Sequence, residues 1–156
     1  MNNIKDLLIY EPVTGCLIWK VDRNWRVKAG DRAGCINAAG YRVVFVFGGP
    51  KLEHRLAWEL HYGEPPPGSL DHVNGDRTDN RIANLRVATH AQNMQNKRPW
   101  SRTGFKGVKR AKSGRYEASI QREYLGVFDT PEAAHAAYSA EAKRRFGDYA
   151  GGLHVQ

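Results

Sequence analysis

The stretch SLDHVNGDRTDNRIANLRVATHAQN, residues 69–93, constrains the fold more than any other part of the chain. SLDHV reads as a short strand and LRV as a returning one. Between them runs a polar loop, NGDRTDNRIAN, opened by the turn signal of Asn74 and Gly75. Thr89 and Gln92 have the spacing of a capping box, which predicts a helix beginning at His90 and carrying Asn93 and Asn96. The local order is strand, loop, strand, helix.

The chain has 156 residues, enough for one ordinary domain or two small modules with thin cores. Residues 1–50 read as an N-terminal β region, with GCLIWKV and GYRVVFVFGG as β-branched and aromatic runs. In the second run Val43, Phe45 and Phe47 alternate with Val44 and Val46, so both faces are expected to be apolar and one to lie under a helix. EHRLAWELHYG supplies that helix, with Leu56, Ala57 and Leu60 on one face and Gly63 as its stop. The three prolines of GEPPPGS rule out a regular element there. Pro99 and Gly104 bracket a linker, KRPWSRTG. FKGVKRA, RYEASIQ and YLGVFD then read as three strands, joined by KSG and by a turn around Arg122 and Glu123. Thr130 and Pro131 start a helix whose alanine-rich face can approach a small sheet closely, with Glu132 at its positive end and Lys143, Arg144 and Arg145 at its negative end.

No run of 18 apolar residues exists, so no transmembrane helix is expected, and the N-terminus does not read as a signal peptide. Cys16 and Cys35 are too few for a four-thiolate zinc site; they read as free, partly buried thiols in a reducing cytoplasm. The net charge of +8 is concentrated. From Lys97 to Arg122 nine Lys and Arg face a single acid, Glu117, while the rest of the chain balances at 15 of each sign. Interleaved with Trp100, Phe105, Tyr116 and Tyr124, that stretch has the composition a phosphate backbone attracts, although a solvated basic face has it too.

Three readings of the polar loop compete. A calcium loop needs a glycine at its sixth position, and counting from Asp71 or Asn74 that position holds Asp76 or Asp79. A structural loop would use Asn74, Asp76, Thr78 and Asp79 to cap turns. A metal-assisted phosphodiesterase would need an activated water and hard ligands: a neutral histidine can take a proton near pH 7, and carboxylate and amide oxygens suit Mg²⁺ or Mn²⁺. Asp71 and His72 are neighbours on a strand, so their side chains are expected on opposite faces.

DHVNGDRTDNRIANLRVATHAQN resembles the core of HNH endonucleases, which have a ββα-metal fold. The resemblance implies His72 as the general base, Asn84 as the residue that ties the loop and orients the histidine, and Asp71 with Asn93 as ligands of one Mg²⁺ or Mn²⁺ ion. Asparagine stands here where the family name has its last histidine, and His90 is the alternative ligand. The preceding HRLAWELHYGEPP resembles the upstream helix of phage-encoded members; His54 and His61 on it read as structural.

Residues 104–147 resemble the Apetala-type (ethylene-response-factor) DNA-binding domain, through Lys106-Gly107-Val108-Lys109, Leu125-Gly126, Phe128-Asp129-Thr130 and the alanine-rich helix. That family lays a three-stranded antiparallel sheet in the major groove, and the DNA-facing candidates carried over are Lys106, Lys109, Arg110, Arg115, Gln121, Arg122 and Tyr124. The expected chain is thus α+β: an N-terminal β region (1–50), an HNH core (51–97), a linker (98–104) and a sheet-on-helix module (105–150). The function these resemblances imply is a homing-type, phage-like endonuclease, nicking double-stranded DNA in the cytoplasm of a host, with no membrane and no small-molecule cofactor. A DNA-binding regulator with an inactive core is the alternative, and an RNA-binding module a third. If about five C-terminal cations neutralise phosphates, a fragment ending near Lys97 should keep its chemistry but show a log–log salt slope shallower by about four or five. Binding measured across a salt series checks this, and an unchanged slope would exclude the module as the targeting element.

Overall fold

The computed structural model describes residues 3–96 and 102–150, apart from the side chain of Gln95. Two compact units divide the chain, Met1–Thr89 and His90–Gln156. Each combines antiparallel strands with helix, which bears out the α+β class. Residues 98–101 of the expected linker, Trp100 among them, and the basic pair Lys97 and Arg98 lie outside the described residues.

The first unit opens with a single helical turn, α1 (Ile4–Leu7), capped by Asn3, whose Oδ1 accepts from the Lys5 amide at 3.0 Å. The chain passes directly into β1 (Leu8–Glu11), which pairs antiparallel with β2 (Cys16–Trp19), Leu8 opposite Trp19 and Glu11 opposite Cys16. A three-stranded sheet follows in the order β3 (Cys35–Ile36), β4 (Arg42–Val46), β5 (Gly49–Leu52). Next comes α2 (Glu53–Tyr62), stopped as expected by Gly63 in the left-handed region at φ 86°. Leu8, Leu17, Trp19, Ala33, Val44, Val46 and Leu56 form one buried cluster, so the β1–β2 hairpin, β4 and α2 share a core.

The other face of β4 is apolar, as expected, and it is open to solvent. Phe45 is 61% exposed and Phe47 47% exposed; only Val43 is buried there. Helix and hairpin both pack on the Val44–Val46 face. Phe47 is not in the strand at all, since with Gly48 it makes the two-residue turn into β5 at φ 52° and 80°. Cys35 is exposed rather than partly buried, and both thiols are free.

Arg42 and Glu53 join these pieces. Glu53 is fully buried, and its Oε2 accepts from Arg42 Nε at 2.8 Å. Arg42 Nη2 donates to the carbonyls of Ala33 and Gly34, each at 3.2 Å. Gly34 is required here: its φ is +81°, and a Cβ would stand 2.4 Å from the Val43 carbonyl oxygen.

The strand pair foreseen from sequence is present as β6 (Ser69–His72) and β7 (Leu85–Ala88), antiparallel, with Asp71 opposite Arg86 and His72 opposite Leu85. Arg55 Nη1 donates to the Gly68 carbonyl at 2.9 Å and ties α2 to the start of β6.

The second unit begins with α3 (His90–Gln95), so Asn96 falls one residue past the helix expected to carry it. Its sheet has the order β10 (Glu123–Phe128), β9 (Tyr116–Ile120), β8 (Val108–Arg110). Helix α4 (Pro131–Phe146) covers one face, with Thr130 Oγ1 accepting from the Ala133 amide at 3.2 Å. Ala134 packs with Val108 and Ala118, and Tyr138 and Ala142 with Ile120. The β9–β10 turn is made by Gln121 and Arg122, both left-handed at φ 47° and 72°, one residue earlier than expected, and Glu123 already belongs to β10. Among the described residues no helix is long and apolar enough to cross a membrane.

Removing one partner of a buried ion pair leaves the other charge stranded. Arg42→Met should therefore destabilise the first unit by about 3 to 5 kcal/mol, and Arg42→Met with Glu53→Leu should recover most of that loss. Urea unfolding of the two variants decides it; equal losses in both would show that the charges are not coupled.

Candidate active site

The polar loop is built by its own side chains. Asn74 Oδ1 accepts from the Asp76 amide at 2.8 Å, and Asp76 Oδ1 accepts from both the amide and the hydroxyl of Thr78 at 2.8 Å. The two Thr78 donors hold the Asp76 carboxyl below the ordinary range. The Arg81 guanidinium does the same for Asp79, reaching it at 2.6 and 2.8 Å. These residues cap turns, as the structural reading of the loop has it.

Asn84 closes the loop across its width. It is buried; Oδ1 accepts from the Asn74 amide at 2.9 Å, and Nδ2 donates to the Asp79 carbonyl at 2.8 Å. Its own carbonyl accepts from the Val73 amide at 2.9 Å. The residue after His72 is thereby fixed to the residue before β7.

Strand alternation separates Asp71 from His72, and both are buried. Asp71 faces its cross-strand partner: Arg86 Nε and Nη2 both donate to Asp71 Oδ2, at 2.9 and 2.7 Å. His72 faces a nest of rings and an amide. Its Nε2 lies 3.1 Å from Asn80 Oδ1. The His54 ring meets it edge-on with centroids 5.1 Å apart, and Tyr41 lies 6.2 Å away. Tyr41 also contacts His54 at 5.6 Å and carries the Arg77 guanidinium over its ring at 4.8 Å. Burial, reinforced by the neighbouring His72 and Arg55, depresses His54 to about 3, so it is neutral throughout the physiological range.

Of the expected catalytic and metal-binding residues, Asp71, His72 and Asn84 thus lie together at one end of the β6–β7 pair. Asn93 belongs to the second unit, where its Oδ1 is buried with no hydrogen-bond partner among the described residues. His90, the alternative ligand, is exposed. Among the described residues no group of three or more His, Cys, Asp or Glu could hold a metal ion. The Asp71 carboxylate beside His72 suits a hard ion such as Mg²⁺ or Mn²⁺ rather than a thiolate-bound zinc.

The DNA-facing candidates of the second unit lie on the outer sheet face, at the β9–β10 turn and near the strand ends. On the sheet face away from α4, Lys109 pairs with Glu117 at 2.7 Å, and Tyr124 stands 62% exposed opposite Ser119. Arg115 precedes β9 and pairs with Asp129 at 2.7 Å. Gln121 and Arg122 are exposed at the turn, and Arg110 Nε reaches the Gly114 carbonyl at 3.4 Å. Lys106 is half-buried, which lowers its ammonium from the ordinary lysine value.

Sequence reasoning missed Asn80 as a partner of His72 and set His54 aside as structural, although both touch the imidazole or its bonding edge. The adjoining Asp79-Asn80-Arg81 run offered no spacing that distinguishes the asparagine facing the histidine from the one bracing the loop.

Residues 51–95 match the family described as HNH endonuclease. The HNH match takes in Asp71, His72, Asn84 and Asn93, and leaves the β1–β2 hairpin and residues 105–150 outside. An uncharacterized HNH endonuclease of Acanthamoeba polyphaga mimivirus is 30% identical over 121 residues, which are 74% of this chain and 63% of that protein. The chain therefore spans less than two thirds of this viral relative's length. No solved structure matches the chain significantly.

The neutral state of His54 has a sign that can be checked. Its folded value of about 3 lies below the ordinary 6.5, so between those values the unfolded chain binds more protons and stability rises with pH. The contribution is complete above pH 6.5 and is lost as pH falls toward 3, by about 3 kcal/mol at pH 4. Urea unfolding at pH 7, 5 and 4 should show this loss, and His54→Phe should flatten the slope; equal slopes in the two proteins would contradict it.

Proposed function

We propose that this chain is a metal-dependent DNA endonuclease of the HNH type. The observation that carries the reading is the placement of His72: a buried imidazole, fixed at the end of β6 by Asn80 and His54, beside a carboxylate on the opposite strand face. The family match over residues 51–95 supports it.

In this reading His72 takes a proton from water, the water oxygen bonds to phosphorus, and the bond from phosphorus to the leaving sugar oxygen breaks. Asp71 and Asn93 are the oxygen donors assigned to one Mg²⁺ or Mn²⁺ ion, which when bound supplies charge stabilisation to the phosphate and its leaving group. Asn84 keeps the loop closed under His72, and Tyr41 and His54 hold the ring against rotation. One such centre cuts one strand, so an isolated chain should nick double-stranded DNA. The C-terminal sheet, with Lys109, Arg110, Arg115, Gln121, Arg122 and Tyr124, is assigned to positioning on the duplex, with Lys106 beside it. Its exposed ion pairs support this, since solvent-exposed pairs are weak and can be exchanged for phosphate contacts. A homing-type enzyme of viral or mobile-element origin, acting in a host cytoplasm, agrees with the viral relative.

One observation favours a second reading, a DNA-binding regulator with an inactive core. Both Arg86 donors already occupy Asp71 Oδ2, so an ion would have to share that carboxylate with a guanidinium.

Incubation with supercoiled plasmid separates the two readings. Nicking should require Mg²⁺ or Mn²⁺, survive a zinc-selective chelator, and fall by roughly 10²–10⁴-fold in His72→Ala while DNA binding is kept. Retention of plasmid without cutting would favour the regulator, and near-normal nicking by His72→Ala would remove His72 from the chemistry.

A further inference from the structure

The geometry points to Asn80 as the residue that positions the His72 imidazole, and to the N-terminal hairpin, through Tyr10, as the element that holds Asn80 in place. The assignment rests on the nuclease reading for its kinetic consequence, but its structural content is independent of it.

Asn80 is 1% exposed, and its side chain is bonded on one side only. Oδ1 meets His72 Nε2 at 3.1 Å, while Nδ2 is buried without a hydrogen-bond partner among the described residues. An unsatisfied buried amide donor costs stability, so this residue is a poor choice for stability alone. Its amide oxygen does something an apolar side chain cannot. Facing Oδ1, the neutral imidazole is held with its proton on Nε2, and the lone pair that can take a proton is then on Nδ1. A ring free to exchange tautomers or rotate would present that lone pair only part of the time.

The backbone of Asn80 is fixed from outside the HNH-matched residues. Tyr10, in β1, donates its hydroxyl proton to the Asn80 carbonyl at 3.1 Å, and the Tyr10 hydroxyl oxygen accepts from the Ile82 amide at 3.0 Å. Gly15, in the β1–β2 turn, presses on the same segment: a Cβ there would stand 2.5 Å from the Arg81 nitrogen and 2.7 Å from the Asn80 carbonyl carbon. Hairpin, Asn80 and His72 thus form one continuous contact path, Tyr10 hydroxyl to Asn80 backbone to Asn80 amide to His72 ring. Asn80 does not touch the reacting atoms; it acts through the histidine.

The test uses the full-length chain and the variants Asn80→Ala, Asn80→Asp, Tyr10→Phe and His72→Ala. Plasmid nicking in Mg²⁺ should show kcat lowered about 10- to 100-fold in Asn80→Ala with KM nearly unchanged, as for groups that orient a working histidine. Asn80→Asp, which keeps an acceptor, should recover part of the rate, and Tyr10→Phe should lose severalfold. Thermal unfolding of Asn80→Ala should stay close to the parent, because the variant also removes the orphaned Nδ2. The ¹⁵N shifts of His72, read without DNA or metal, should report one tautomer protonated on Nε2 in the parent and a mixture in Asn80→Ala. An unchanged kcat in Asn80→Ala while His72→Ala is dead would overturn the proposal, as would a rate loss that only tracks lost stability. If parent and His72→Ala are equally inactive, the nuclease reading fails, and the tautomer measurement then decides this one: a shift on mutation upholds the positioning contact, and identical spectra reject it.

Discussion

Arg42 reaches from β4 to the buried carboxylate of Glu53 at the first turn of α2, and with Nη2 holds the carbonyls of Ala33 and Gly34. A charge in that position has no water to fall back on, so the strand, the glycine bend and the helix start are tied to one geometry. The next residue along the helix is His54, whose ring then meets His72, and after it comes Arg55, which bonds the Gly68 carbonyl just ahead of β6. The alignment of the candidate site with the core therefore follows from a contact that makes no appearance in the chemistry.

The site itself is unusual in how much of its polar character is spent on rigidity. Asn74, Asp76, Thr78, Asp79 and Asn84 bond to one another and to the loop backbone, which leaves the loop few ways to rearrange around His72. Rigid placement of a base suits a reaction that depends on aim, because a positioned imidazole contributes through proximity as well as basicity. His54 adds to this without adding charge, since burial keeps it neutral beside the histidine it supports.

The second unit shows a different economy. Its core is narrow: alanines on α4 let the helix approach the sheet, and Gly107 lies so close to Tyr138 that a Cβ would come within 2.0 Å of the ring. What the small core leaves outside is cationic and exposed, with several cations in surface pairs that contribute little to stability. A charge distribution of that kind is available for an anionic partner while costing the fold almost nothing.

Period, breakers and caps were enough to place most elements: the alternating and β-branched runs, Gly63, the three prolines, and the pairing of Thr130 with Pro131 act through neighbours in the chain, and their effects are local. The motif from Asp71 to Asn93 was legible for the same reason, being contiguous. What the tertiary structure alone decided are the contacts between residues far apart in sequence. Tyr10 on the Asn80 carbonyl, Gly15 against Arg81, His54 against His72 and Arg42 on Glu53 span 11 to 70 positions, and no spacing rule encodes them. The choice between Asn80 and Asn84 as the partner of His72 belongs to this class. Both are amides in one loop, and only the fold of that loop, pressed from outside by the hairpin, turns one toward the imidazole and the other toward the backbone.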